Sequence, residues 1–475
     1  MRNRLRIALF LGILLTLSLL LTFWLGSPKL LEVYPAGKSN NVAAGASVRL
    51  VFSRPLNTSA LEAKLHLNPE TSGSFEWEGS TLVFTPSKSW PAGTNVQVQL
   101  DPGIPAQGFP ALPLRQGETW SFQIRQPNIA YLFPSTDPAN LYMLDPASGE
   151  RQQLTDSPGG VMDFTANPDG TIIYYSERQE PEGSTIFRLD LNSAVSEQLE
   201  GQTAVSAAAQ PEQVLACPKA LCQSLALDSQ GKRLAYERSA LPGGSTEIPQ
   251  VWVLPLTPAG SAPILMGDPA HQTVMPEWSS QGTLVFYDSI ALAYLFFEPG
   301  GTEKGRFPNQ TGQQGDWRPD GDAFLAPEIT YLNANVSPAL SNLEALADSH
   351  LILFHLDNGQ TEDLTPGEGI EDTSPAYSPN GEFLAFTRKY LDVKRWTPGR
   401  QLWIARVEGR EARQVTDTPL YNHYDLAWSP SGDQIAFVRF NQSALSEPPE
   451  IWIIDLLTDQ TIRLVQGGYS PIWIP

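Results

Sequence analysis

Two cysteines, five histidines and a surplus of carboxylates are the residues of this 475-residue chain whose types could do chemistry. Cys217-Pro-Lys-Ala-Leu-Cys222 is a lone pair, separated by four residues, in a loop-like stretch rich in Ala and Gln. A zinc site needs further Cys or His ligands, a redox pair has two intervening residues, and haem attachment has a His directly after the second Cys. None of these fits. Cys217 and Cys222 read as a local disulfide, with two free thiols as the alternative and a structural role either way. His66, His271, His350, His355 and His423 are scattered without metal-ligand spacing. His350 and His355 flank a strand and, five apart, point to opposite faces. No Gly-x-Ser-x-Gly elbow, phosphate loop or dinucleotide fingerprint occurs. The chain is therefore read as a non-enzyme, with no catalytic, cofactor-binding or metal residue assigned. Carboxylates are abundant and could meet in pairs to act on glycans, which is the enzyme alternative, but the sequence picks out no such pair.

The elements that would position these groups are strands. Forty-one Pro, 37 Gly and only 17% charged residues point to many turns and an all-β fold. Six turns recur: Asn167-Pro168-Asp169-Gly170, Asp228-Ser229-Gln230-Gly231, Ser279-Ser280-Gln281-Gly282, Arg318-Pro319-Asp320-Gly321, Ser378-Pro379-Asn380-Gly381 and Ser429-Pro430-Ser431-Gly432. Such residues at hairpin tips tolerate the backbone angles that tight turns demand. Apolar runs follow most of these turns, and a second run comes after a variable loop. Units of about 40 to 60 residues with four strands each indicate propeller blades. The first unit, from Ile129, lacks an inner strand, whereas Ser470-Pro471-Ile472-Trp473-Ile474-Pro475 aligns with the inner strand Ser374 to Pro379. The two pieces complete one blade, so the expected ring over residues 127–475 has seven. Asp169, Asp320 and Asn380 occupy matching turn positions, which assigns them to their own hairpins rather than to calcium. Trp278, Trp317, Tyr377, Trp428 and Trp473 fall on inner strands, where packing between blades is expected.

The blades resemble the TolB-like β-propeller repeat, with a Ser-Pro-Asp-Gly turn, an apolar strand and then an aromatic-centred strand, as in Glu450-Ile451-Trp452-Ile453-Ile454-Asp455 and Asn140-Leu141-Tyr142-Met143-Leu144-Asp145. Gln230, Gln281 and Ser431 depart from the pattern, where Asp is usual. Such propellers also precede hydrolase domains in some serine peptidases; this sequence runs to the closing strand, and no hydrolase domain is expected after it. Two long loops interrupt the repeat: 192–222, and the stretch between Phe324 and His350, where Ser337 to Ala347 reads as a short helix.

Residues 30–126 show seven short alternating strands, the pattern of a β-sandwich. At Val48 to Pro55, Leu82 to Pro86 and Trp90 to Val98 this segment resembles bacterial Ig-like domains of the SbsA type, which implies a spacer or adhesive module. Before it, Arg2, Arg4 and Arg6 precede an uncharged run, Ile7 to Gly26, which as a helix spans about 30 Å, the thickness of a bilayer core. Residues 1–26 are expected to be an uncleaved single-pass anchor with a cytoplasmic N-terminus, which leaves the remainder extracytoplasmic; secretion after cleavage is the alternative. A net charge of −20 argues against a nucleic-acid partner. The expected molecule is an Ig-like β-sandwich followed by a seven-bladed propeller that engages a protein or envelope polymer, with no cofactor.

Overall fold

Alternation decides the first unit. Seven strands pair into two antiparallel sheets, one of Leu30–Tyr34, Val48–Phe52, Thr81–Pro86 and Gly73–Glu78, the other of Leu65–Asn68, Asn95–Leu100 and Glu118–Gln123. In Asn95–Leu100 every second residue is buried, and Val96, Val98 and Leu100 meet Val48, Leu50, Phe52 and Phe84 in one core. That is a β-sandwich. Trp90 fills the core and donates its indole N–H to the Ala46 carbonyl at 3.0 Å, so its one polar atom stays satisfied. A single-turn helix, Thr58–Glu62, interrupts the strands. Its start is encoded by Asn57, whose side chain accepts from the Ala60 amide at 2.9 Å.

This computed structural model describes residues 26–475 except 40–41, 43–45, 88–89, 110, 180–182, 192–209, 242–247 and 332–346. The expected membrane helix therefore lies outside the described residues but for Gly26, and so does nearly all of the expected helix at 337–347. Among the described residues no helix is long and apolar enough to cross a membrane.

The second unit runs Pro127–Ile474. It contains five four-stranded sheets and one of eight strands, itself two four-stranded halves joined at a single parallel bridge between Ser349 and Glu371. These are seven blades. Each is an antiparallel meander of strands A to D from the centre outwards. In blade 1 the inner strand is Tyr469–Ile474, which pairs antiparallel with Asn128–Phe133 and so joins the two ends of the unit. Blades 2 to 7 begin at Val161, Ala220, Thr273, Asp316, Ile370 and Tyr421.

The second strands explain why blades must stack. Ile172–Gln179, Arg233–Ala240, Phe383–Tyr390 and Gln434–Asn441 each bury four consecutive residues, so both faces of the strand are covered. Ala235, Ala385 and Ala436 alternate there with Tyr236, Phe386 and Phe437, small against large, so that neighbouring sheets interdigitate. Each pair of neighbouring blades has an apolar cluster of its own, such as Tyr174, Ile186, Leu234 and Tyr236 between blades 2 and 3, or Ala385, Leu402, Ile435 and Phe437 between blades 6 and 7.

The closing blade follows the same rule. Trp473 is 9% exposed and donates its indole N–H to the Ala427 carbonyl of blade 7 at 3.0 Å, as Trp428 does to Ala376 of blade 6 at 2.8 Å. Trp473→Ala is expected to destabilise the propeller by about 3 to 5 kcal/mol through the lost contacts and the cavity. Chemical denaturation reads that loss, against Leu457→Ala at an 81% exposed position, which should stay within about 0.5 kcal/mol of the parent.

Candidate functional site

The turn glycines provide the frame for the centre of the ring. Counting back seven residues from Gly170, Gly231, Gly282, Gly321, Gly381 and Gly432 reaches Asp163, Ser224, Met275, Gln314, Ser374 and Asp425. All six line one central cavity of about 580 Å³, to which blade 1 adds Ser470. The inner strand is bulged at this position in most blades: its register slips between Gln223 and Ala226, Val274 and Glu277, Thr373 and Ala376, Tyr424 and Ala427, and Tyr469 and Ile472. Ser224, Met275, Ser374, Asp425 and Ser470 take φ between 49° and 55° there, the left-handed region that non-glycine residues rarely enter.

A bulge frees backbone amides from the ladder, and carboxylates of the preceding blade accept them. Asp163 Oδ2 accepts from the Leu225 amide at 2.6 Å, Asp316 Oδ2 from the Tyr377 amide at 2.6 Å, and Asp425 from the Ser470 amide. Glu277 accepts from the Trp317 amide. Each carboxyl keeps a partly exposed edge but is otherwise surrounded by protein. Burial accordingly pushes Asp163 and Asp425 up to about 6 from 3.8. Glu277 and Asp316 are five residues before their turn glycines in adjacent blades, and they touch. Burial, and then the neighbouring Asp316 charge, raises Glu277 well above the usual carboxylate range. Asp316 is raised too, by burial. Beside them the indole nitrogens of Trp278 and Trp317 are buried without a hydrogen-bond partner. The channel is thus polar and acidic, with its carboxyl groups engaged in joining blades.

The candidates read from the sequence lie elsewhere. Cys217 and Cys222 are disulfide-bonded, and the segment around them is not a loop: Cys217 belongs to the outer strand Glu212–Pro218 of blade 2 and Cys222 to the inner strand Ala220–Leu227 of blade 3. Asp169 accepts from the Thr171 amide, Asp320 from the Asp322 amide and Asn380 from the Glu382 amide, each inside its own hairpin. His350 and His355 meet Asp363 and Glu362, successive residues of the adjoining strand, and so face opposite sides. His271 pairs with Asp288 at 2.7 Å, and His423 is buried. Among the described residues no group of three or more His, Cys, Asp or Glu could hold a metal ion. The channel carboxylates had a signal in the sequence, acids at fixed offsets before the turn glycine, but it emerges only once the bulge shows which offsets face the centre.

The two ends of the ring differ. In a meander, B–C and D–A loops emerge at one face and A–B and C–D turns at the other. Ile248, Ile290, Leu292, Val393, Trp396, Leu420 and Leu445, all large apolar side chains at least 38% exposed, stand on B–C or D–A loops. Among the described residues Leu457 is the sole such residue on an A–B or C–D turn, and Ile264 and Ile462, also exposed, lie on outer strands.

Parts of this chain are similar to known proteins. Residues 26–124 match the bacterial Ig-like domain family. An uncharacterized protein of Agrobacterium fabrum is 29% identical over 192 residues, 38% of this chain and 58% of that one. Dipeptidyl-peptidase 5 of Porphyromonas gingivalis is 23% identical over 154 residues, 32% of this chain and 21% of that one. The chain thus spans less than two thirds of either relative. The crystal structure of TolB from Acinetobacter baumannii aligns with a TM-score of 0.43 at 12% identity, covering 87% of this chain and 83% of that one. Residues 26–124 are therefore a bacterial Ig-like domain, and the seven-bladed propeller that follows them has TolB proteins among its solved structural neighbours.

Proposed function

We propose that this chain is a membrane-anchored extracytoplasmic binding or scaffold protein whose propeller engages a protein or envelope polymer through the face formed by its B–C and D–A loops. The observation that carries this reading is the one-sided distribution of exposed large apolar side chains on the loops: among the described residues seven stand on B–C or D–A loops against one on the opposite turns, with Ile264 and Ile462 on outer strands. Isolated exposed Leu or Ile residues are ordinary, but a set gathered on one face of a ring marks an interaction surface. The uncharged run at Ile7 to Gly26 supports the anchor, and the Cys217–Cys222 disulfide supports an oxidising compartment. The full chain carrying Ile290→Ser and Leu445→Ser is expected to fold with stability within about 1 kcal/mol of the parent. In a pull-down from detergent-solubilised envelope it should lose the partners that the parent retains, whereas Leu457→Ser keeps them. Equal retention by all three chains would sink the assignment of that face.

A second reading, an enzyme acting on glycans from the channel, draws on the Glu277–Asp316 contact, since a carboxyl group holding its proton beside a carboxylate is the equipment of general acid catalysis. Against it stands the engagement of those groups with backbone amides of the next blade. The two roles separate by pH. A carboxyl group whose folded value is raised stabilises the fold below its unfolded value and loses that contribution as pH rises through the folded one. For Asp425 the window runs from 3.8 to about 6. Asp425→Asn keeps an oxygen acceptor for the Ser470 amide without the buried charge. It is expected to match the parent near pH 4 and to exceed it by about 2 kcal/mol near pH 8. Parallel stability curves across that range, measured by urea denaturation, would remove the structural account of the acid.

A further inference from the structure

The B–C loop of blade 6 differs from the other apolar tips in being both rigid and basic. Between Phe383–Tyr390 and Gln401–Arg406 the chain makes one tight turn at residues 392–396. The Asp392 backbone carbonyl accepts from the Trp396 amide at 2.9 Å, and its side chain accepts from the Lys394 and Arg395 amides at 3.1 Å each and from Arg395 Nε at 2.6 Å. At the base of the loop, the Leu391 amide donates to the Gly369 carbonyl at 2.8 Å and the Gly399 amide to the Pro419 carbonyl at 3.0 Å. Gly399 lies so close to the next strand that a Cβ there would come within 1.9 Å of the Tyr421 carbonyl oxygen. The turn projects Val393, 98% exposed, and Trp396, 54% exposed. Lys389 Nζ stands 4.9 Å from the Trp396 ring centroid, and the Arg395 guanidinium 3.9 Å from that of Tyr390.

Charge distinguishes this prong from its surroundings. Residues 388–396, Arg-Lys-Tyr-Leu-Asp-Val-Lys-Arg-Trp, hold four basic groups and one acidic in a chain with 31 basic and 51 acidic residues. Arg388 is neutralised by buried Asp372 and Arg395 by Asp392. The ammonium groups of Lys389 and Lys394 have no carboxylate partner among the described residues.

Resting on the binding-platform reading, we propose that this prong is the anchoring point of that face and takes an acidic segment of a partner protein. Val393 and Trp396 would seat against its apolar side chains and Lys389 and Lys394 pair with its carboxylates. A pre-ordered aromatic and aliphatic tip with a charged collar is the composition of an interface hot spot, since little conformational entropy is lost when it docks. The alternative occupant, an anionic lipid surface, is disfavoured by the chain's own charge: a broad sheet of negative charge meets the acidic body of the protein, whereas a narrow segment meets only the basic tip.

The test is fluorescence anisotropy of the full chain with a labelled peptide of repeated Glu-Glu-Phe-Leu blocks, against a Lys-Lys-Phe-Leu counterpart. The acidic peptide should bind, weaken as salt rises from about 50 to about 500 mM, and lose about tenfold in affinity with Lys389→Glu plus Lys394→Glu, and again with Val393→Ser plus Trp396→Ser. Unchanged melting temperatures would show that these variants fold. Equal binding of the two peptides, or an acidic peptide indifferent to both variants, overturns the proposal. Displacement of the acidic peptide from the prong by soluble dihexanoyl phosphatidylglycerol overturns it in favour of a lipid headgroup. Envelope capture read in parallel separates the two ideas: partners kept by the prong variants leave the platform standing without this anchor, and an empty capture by the parent chain removes the platform itself.

Discussion

A four-stranded sheet with apolar side chains on both faces has no free side to turn to water, so each blade here is stable only between two others. The second strands make the point: four consecutive buried residues in Arg233–Ala240 or Gln434–Asn441 leave no solvated face. Such an arrangement can end in one of two ways, by capping or by closing. This chain closes, with Tyr469–Ile474 supplying the inner strand of blade 1 and Trp473 bonding back to blade 7. Closure also removes the question of open edges between first and last blades. Stability is therefore distributed over a ring of inter-blade clusters rather than concentrated in one core, and any single interface matters because the ring fails at its weakest join.

Closing seven strongly twisted sheets around a narrow centre has a local cost, and it falls on the inner strands. They bulge, and non-glycine residues at Ser224, Met275, Ser374, Asp425 and Ser470 take left-handed backbone angles. An amide released from a ladder and left buried costs about 1 to 3 kcal/mol. Carboxylates from the preceding blade accept such amides, and burial raises their proton affinity. The same groups look like an acidic active site when viewed from the channel. Their hydrogen bonds point along the wall instead, from blade to blade.

Much of this was legible beforehand, and the reason differs by element. The hairpin turns carry their own chemistry in Asn, Asp and Gly, so blade number and the shared closing blade followed from spacing and from the match between Ser374 to Pro379 and Ser470 to Pro475. The sandwich strands followed from alternation. The strand around Cys217 did not, because Ala, Gln and Pro hide a run that is strand only by pairing with Gly183–Asp190. The helix at Thr58–Glu62 escaped as well, being a single turn whose one signal is the Asn57 cap. The signal of the channel carboxylates could not be read for a deeper reason: which residue of an inner strand faces the centre depends on where the bulge falls, and a one-residue slip in register reverses every side chain beyond it.

Rigidity and recognition are linked in this design. Blades held on both sides have little freedom, so conformational variety is confined to connections, and among the described residues it is chiefly the B–C and D–A loops that carry exposed apolar groups such as Val393 and Leu445. A loop on such a base can be made stiff cheaply, as Asp392 does by folding one turn back on itself. Electrostatics then adds selectivity. The field of a chain with net charge −20 repels anionic partners over about one Debye length, roughly 8 to 10 Å, so an acidic segment finds a favourable approach only where the sign locally reverses. Placing two ammonium groups that have no carboxylate partner among the described residues beside an exposed Trp and Val makes that reversal coincide with the apolar contact, which lets charge choose the orientation and burial supply the affinity.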